Sequence, residues 1–237
     1  MSFGATRDSS RDARGRSLGS QGEWYPPLVG ALDLKKELPD YFKVGTRDFA
    51  LVTLPAYSYL VVDGEGDPNH SPQYAEAIEL LYSVAYTLKF LSKSENHVDY
   101  VVPPLEGLWW ASDPRSFALA RKSDWEWTMM IMVPAAVPRA LVTRAKKTVH
   151  GKHPALDVSK VGLRSLREGL SVQILHVGPY DAEGPTLARM HGEFMAQHGL
   201  AFNGKHHEIY LSDPRRSSPE KLRTILRQPV KRTLRAR

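Results

Sequence analysis

The stretch that decides the fold runs from Ser58 to Phe90, "SYLVVDGEGDPNHSPQYAEAIELLYSVAYTLKF". It starts as an apolar, β-rich run, breaks at a Gly-rich turn, and resumes with Tyr74, Ala77, Ile78, Leu81, Tyr82 and Ala85 at helical spacing. Strand, turn and helix are predicted in that order. A second copy of the plan lies downstream. In "LSVQILHVGPYDAEGPTLARMHGEFMAQHG", Leu170 to Gly199, the strand ends at Val177 and Gly178-Pro179 makes the turn. Leu187, Met190, His191, Phe194 and Met195 then mark one helix face. Each copy is followed by a strand closing in proline, "EWTMMIMVP" (Glu126 to Pro134) and "HHEIYLSDP" (His206 to Pro214). The chain reads as two α+β halves on one plan, about 23–140 and 141–230, within one domain.

Between the first helix and its closing strand sits "HVDYVVPPLEGLWWASDPRSFALARKSD", His97 to Asp124. A Tyr-Val-Val strand and a Pro-Pro break put Glu106, Trp109 and Trp110 in a loop-like setting. Paired tryptophans there either plug a hydrophobic edge or wall a small-molecule pocket. Trp125 and Trp127 pose the same choice. Strand alternation in His206 to Pro214 puts His206, Glu208 and Tyr210 on one face and Ile209 and Leu211 on the other. A carboxylate between an imidazole and a phenol is either a site or the solvent side of an edge strand.

Composition limits the chemistry. The 237 residues are 42% hydrophobic, enough for a sizeable core. With no cysteine, disulfides, thiolate metal sites and a cysteine nucleophile are excluded. No run of 18 apolar residues occurs, and residues 1–22 are polar, expected to be disordered, and lack the apolar core of a secretory signal. A cytoplasmic protein without membrane association is expected. The net charge of +6 is local: residues 215–237 carry nine Lys/Arg and one Glu, a net +8 that leaves −2 on the rest. Nucleic-acid binding is therefore not expected, and residues 231–237 read as a solvated basic tail. Ser217-Ser218-Pro219-Glu220 reads as the cap of a helix beginning "KLRTIL". His150 and His153 are flanked by Lys and Pro, and adjacent His206 and His207 face opposite ways, so neither a metal nor a cofactor is expected.

"HVGPYDAEGPTLARMHGEFMAQHGL" with "KHHEIYLSDPRRSSPEKLRTILRQPV" resembles the C-terminal half of stand-alone GyrI-like small-molecule-binding proteins, and "PPLEGLWW" is similar to a segment of the same branch. The resemblance covers roughly Leu34 to Val230. It implies an α+β fold of two strand-helix-strand-strand modules related by a pseudo-twofold, with a ligand cleft between them. In drug-sensing relatives a carboxylate on the strand corresponding to His206–Tyr210 meets cationic or polar ligands, and Glu208 holds that place. One branch of the family hydrolyses the cyclopropane of DNA-alkylating cyclopropanoid compounds, a detoxification; this chain resembles it in length, in "EGLWW" and in "HHEIYLSDPRR".

Opening such a ring needs a donor at the carbonyl where negative charge develops and a water aimed at the strained carbon. Glu208 is the expected base or water-orienting group, and Tyr180 the expected donor, with Tyr82 behind it. Trp109, Trp110, Tyr82, Tyr86, Glu106, Tyr210 and His176 are the expected ligand-binding residues, and the expected partner is a small aromatic molecule. Two other functions stay open: a non-catalytic, multidrug-binding sequestering protein for flat or cationic compounds, and a gyrase-modulating interaction protein. The sequence leaves the oligomeric state undetermined.

Overall fold

The computed structural model describes residues 30–112 and 121–233; the 1–22 extension and residues 234–237 of the tail lie outside the described residues. In chain order the elements are α1 (Leu34–Glu37), α2 (Pro39–Phe42), β1 (Ala50–Glu65), α3 (Pro72–Glu95), β2 (Leu105–Ala111), β3 (Trp125–Val133), α4 (Arg139–Lys152) and β4 (Gly162–Val177). Then come α5 (Gly184–Ala188), a π-helical stretch (Arg189–Phe194) running into α6 (Met195–Gln197), β5 (Leu200–Phe202), β6 (His206–Tyr210) and β7 (Arg223–Arg232).

Both predicted strand-turn-helix units are present. β1 and β4 are each 16 residues long and hand over to their helical segments at Gly66 and Gly178, whose φ angles of 93° and 143° lie where a side chain would be strained. Pro72 and Pro185 start the two helices, where a missing N–H costs nothing.

The strands run antiparallel in the order β4-β1-β3-β2-β6-β7, and β7 pairs back onto β4, so the sheet closes into a barrel. β5 extends the same β7 edge beyond β6. Closure makes each strand two-sided. Along β3, Met130 and Met132 point inward with Tyr59, Val61, Ile209 and Ile225, while Trp127, Met129 and Ile131 point outward under α3. On α3 the buried apolar residues are Ala77, Leu80, Leu81, Val84, Ala85 and Leu88; helical spacing holds, but the buried face is turned from the expected one, with Tyr74, Ile78 and Tyr82 only partly buried. Each buried leucine stabilises the packing by about 1.5–3 kcal/mol. The second helical segment covers β4 and β7 through Met190 and Met195, which pack on Val172, Ile174 and Leu226. β2 and β6 lie between these two covered sectors, and their outer face carries Trp109, Glu208 and Tyr210.

Four sequence expectations are corrected. Glu106, Trp109 and Trp110 lie on strand β2, not in a loop, and β2 is hydrogen-bonded on both edges, to β3 and β6. "KLRTIL" does not start a helix: a single 3₁₀ turn, Pro219–Lys221, leads straight into β7. The basic run is thus largely a barrel stave, continuing to Arg232 beside Leu200. Third, Lys231 and Arg232, read as the start of the basic tail, are the last residues of β7. Fourth, α4, which no pattern announced, straddles residue 140 and packs on α3.

Candidate functional site

Glu208 stands at the centre of the outer face of β6, with its side chain only 15% exposed. Strand alternation aims it there, and the residue opposite on β2 is Gly107. A Cβ at Gly107 would come within 2.8 Å of Trp109 Nε1 and 3.1 Å of Tyr210 Oη, so only glycine leaves room for the contact between those two side chains. Trp109 Nε1–H donates to Tyr210 Oη at 3.0 Å, and Tyr210 O–H donates to Glu208 Oε2 at 2.8 Å. This chain fixes the carboxylate from one side. Burial and the charge of Glu208 hold the Tyr210 phenol well above its ordinary pKa, so it remains a donor.

Aromatic rings form the first-module wall. Tyr74 packs against Trp109 and Trp127 at centroid distances of 6.0 and 5.2 Å. Tyr180 closes the other side edge-on to Tyr210 at 5.6 Å. It is 39% exposed, and burial, Glu183 and Glu208 push its phenol up to about 12. Tyr82 stacks on Tyr86 at 6.2 Å, and Tyr86 is half exposed.

A second carboxyl lies close enough to Glu208 to feel its charge. Glu183 is buried just before α5; burial and then the negative charge of Glu208 push its pKa up to about 9. Two carboxyls, one of them raised in this way, fit acid–base chemistry.

Of the residues that the sequence points to, Glu208, Tyr210, Trp109 and Tyr180 come together here. Tyr82 and Tyr86 lie along α3 toward the rim. Three residues are elsewhere. Trp110 turns to the opposite face of β2, where Lys205 Nζ sits 2.9 Å from its ring centre. His176 leans onto its own turn, Nε2 3.3 Å from Pro179 O. Glu106 is sealed in the barrel, because the register puts it opposite inward-facing Ile209.

There Glu106 belongs to a buried network that the sequence does not announce. His207 Nε2 donates to Glu106 Oε2 and Nδ1 to Glu168 Oε1, both at 2.9 Å. Tyr41 donates to Glu106 Oε2 at 2.5 Å and accepts from Tyr59. Arg227 bonds Glu168, Gln173 and Tyr41 O at 2.8–3.0 Å. Burial alone would lower the pKa of His207, but Glu168 and Glu106 outweigh it and raise it to about 9; His207 and Arg227 likewise bring Glu168 to about 2 against its burial.

Tyr74, Gly107 and Glu183 are site residues that sequence reasoning misses. Tyr74 is legible only as a core position on its helix; a glycine amid strand residues and a carboxyl ahead of a Gly-Pro helix start are the available signals. Among the described residues no group of three or more His, Asp or Glu is arranged to hold a metal ion. Nor is any helix among them long and apolar enough to cross a membrane.

The family profile of the GyrI-like small molecule binding domain matches residues 47–231. The chain belongs to the GyrI-like family. Solved GyrI-like structures agree over most of the chain. An uncharacterized conserved protein from Listeria innocua is 41% identical with a TM-score of 0.77, covering 84% of this chain and 100% of its own. A protein described as a hydrolase from Listeria innocua is 40% identical with a TM-score of 0.72 at the same coverage, and a further hydrolase from that organism is 39% identical with a TM-score of 0.76, covering 85% of this chain and all of its own. The EcmrR C-terminal domain, 11% identical with a TM-score of 0.50 over 78% of this chain and 98% of its own, shares the fold alone. No curated protein matches.

Proposed function

We propose that this GyrI-like protein is a hydrolase that opens the cyclopropane of flat, electrophilic cyclopropanoid compounds and so detoxifies them. The observation that carries the reading is Glu208, held by the Trp109–Tyr210 relay beside aromatic rings, with the raised pKa of Glu183 as support. The hydrolase description of two Listeria innocua relatives supports it. Glu208 takes a proton from water as the water oxygen bonds to the ring carbon. The carbon–carbon bond breaks, and its electron pair ends as a phenolate. Glu183 or Tyr180, or both, donate to that oxygen, a contribution that typically amounts to about 10²–10³-fold for one donor. Ring strain and aromatisation supply the driving force.

The test is to incubate purified protein with a cyclopropanoid compound and weigh the product. A product heavier by one water, formed catalytically and lost in Glu208→Gln, supports the reading. Stoichiometric binding without product favours sequestration, to which the carboxylate between aromatic walls is also suited.

A further inference from the structure

The second oxygen of Glu208 faces an imidazole. Oε2 is engaged by Tyr210, while Oε1 lies 3.5 Å from His206 Nε2, and the two do not form a hydrogen bond. The His206 side chain is only 11% exposed, yet neither of its ring nitrogens has a hydrogen-bond partner. Buried polar atoms without partners are rare in folded proteins and call for an explanation. Directly across the ladder stands Trp109, the same residue that anchors Tyr210.

His191 backs His206 from the π-helical stretch, their rings 6.2 Å apart at 83°, and its Nε2 is also buried without a partner. Burial and His206 bring His191 down to about 4, so it is neutral at physiological pH. π-Helical turns are frequently found at functional sites. Here the turn carries a neutral imidazole to the back of another.

We propose that His206 shares the attacking water with Glu208. A water admitted between Glu208 Oε1 and His206 Nε2 as the two side chains part would give one O–H to each and leave a lone pair for the substrate. This rests on the hydrolytic reading above. A water held by Glu208 alone rotates about a single hydrogen bond; two acceptors fix its direction, and orientation is a large part of catalysis. In the step, the O–H directed at Glu208 breaks and its proton goes to the carboxylate. The oxygen–carbon bond forms, the ring bond breaks, and the resulting phenolate takes the Glu183 proton. His206 keeps the second O–H as a hydrogen bond throughout, with its own proton on Nδ1. After product release Glu208 loses its proton and Glu183 regains one through solvent, so no net charge is made.

The test compares His206→Ala and His206→Asn with wild type on a cyclopropanoid substrate. Expected for His206→Ala is a kcat lower by about 10- to 100-fold with KM within about 2-fold, the scale of lost orientation. Asn, which keeps an acceptor, should recover part of the rate, and added imidazole should raise turnover in His206→Ala but not in Glu208→Gln. Unchanged kcat in His206→Ala overturns the proposal, as does a change confined to KM. So does a loss that neither Asn nor imidazole repairs, which marks a packing role. Absence of turnover in wild type overturns the hydrolase reading and this role with it; wild-type turnover that His206→Ala leaves undiminished overturns this role alone.

Discussion

Glu168 and Glu183 are both buried glutamates of the second half of the chain, and the protein holds them in opposite states. Inside the barrel, Glu168 has an imidazole on one oxygen and a guanidinium on the other, and it is held at about 2. Glu183 instead has burial and the negative charge of Glu208 acting on it, and is pushed to about 9. Burial is nearly the same; the neighbours differ. The same split separates His207 from His206, adjacent residues on opposite faces of β6: both nitrogens of the first are bonded, neither of the second. Inside the barrel His207 and Arg227 compensate Glu168. On the outer face His206 has no such partner.

The sharpest way to break this comparison is Arg227→Leu. It leaves Glu168 with an uncompensated share of charge in a sealed interior, and stability should fall by about 3–5 kcal/mol in chemical denaturation. A loss below about 1 kcal/mol would mean the interior network is not interdependent. Next, Glu208→Gln should cut turnover by about 10²-fold or more. Its stability should equal or exceed that of wild type, because the change removes the charge acting on Glu183.

Titration sharpens the contrast further. His207 and Glu183 both have raised values, so each binds a proton more tightly in the folded chain than in the unfolded one. The contribution of His207 is fully present below about pH 6.5 and is lost as pH rises through about 9. That of Glu183 declines from about pH 4.5 up to about 9, while that of Glu168 is lost only as pH falls from about 4.5 through about 2. Melting temperature should therefore decline from neutral pH toward pH 9, and the decline should be shallower in Glu183→Gln. An equal slope in the variant would remove Glu183 from the account. The smallest effect is expected for Trp110→Ala, which loses an exposed contact with Lys205: affinity for a flat aromatic ligand, measured by calorimetry, should change by less than about 2-fold, whereas Trp109→Ala should weaken it clearly.

The sequence announces what repeats and what alternates. β1 with α3 and β4 with the second helical segment are legible because an apolar strand, a glycine turn and a helical stripe occur twice in the same order. Glu208 and Tyr210 are legible because β6 alternates. β2 and β7 are not, because both strands cover side chains on each of their two faces, so neither shows a polar-apolar rhythm. In β7 the inward Arg227 even imitates a solvated charge, since nothing in "TILRQPV" says that Glu168 and Gln173 await it. The tryptophan neighbours of Glu106 draw it toward the cleft on paper, and only the register with β6 shows that it faces the other way. Glu183 depends on a contact across strands that no local pattern encodes.

Barrel closure by β7 also sets a timetable for synthesis. β4 and β6 both take β7 as a neighbour, and β7 follows both in the chain, so of the described strands it leaves the ribosome last. Until it emerges, β4 and β6 present open edges and Glu168 lacks its guanidinium, so the nascent chain has a period of exposure to edge-to-edge pairing. The aromatic wall, made of α3, β2 and β3, is complete long before that. Glu208 reaches the ribosome surface early enough to be folded against it, but its strand stays unsupported on one side until the final stave arrives.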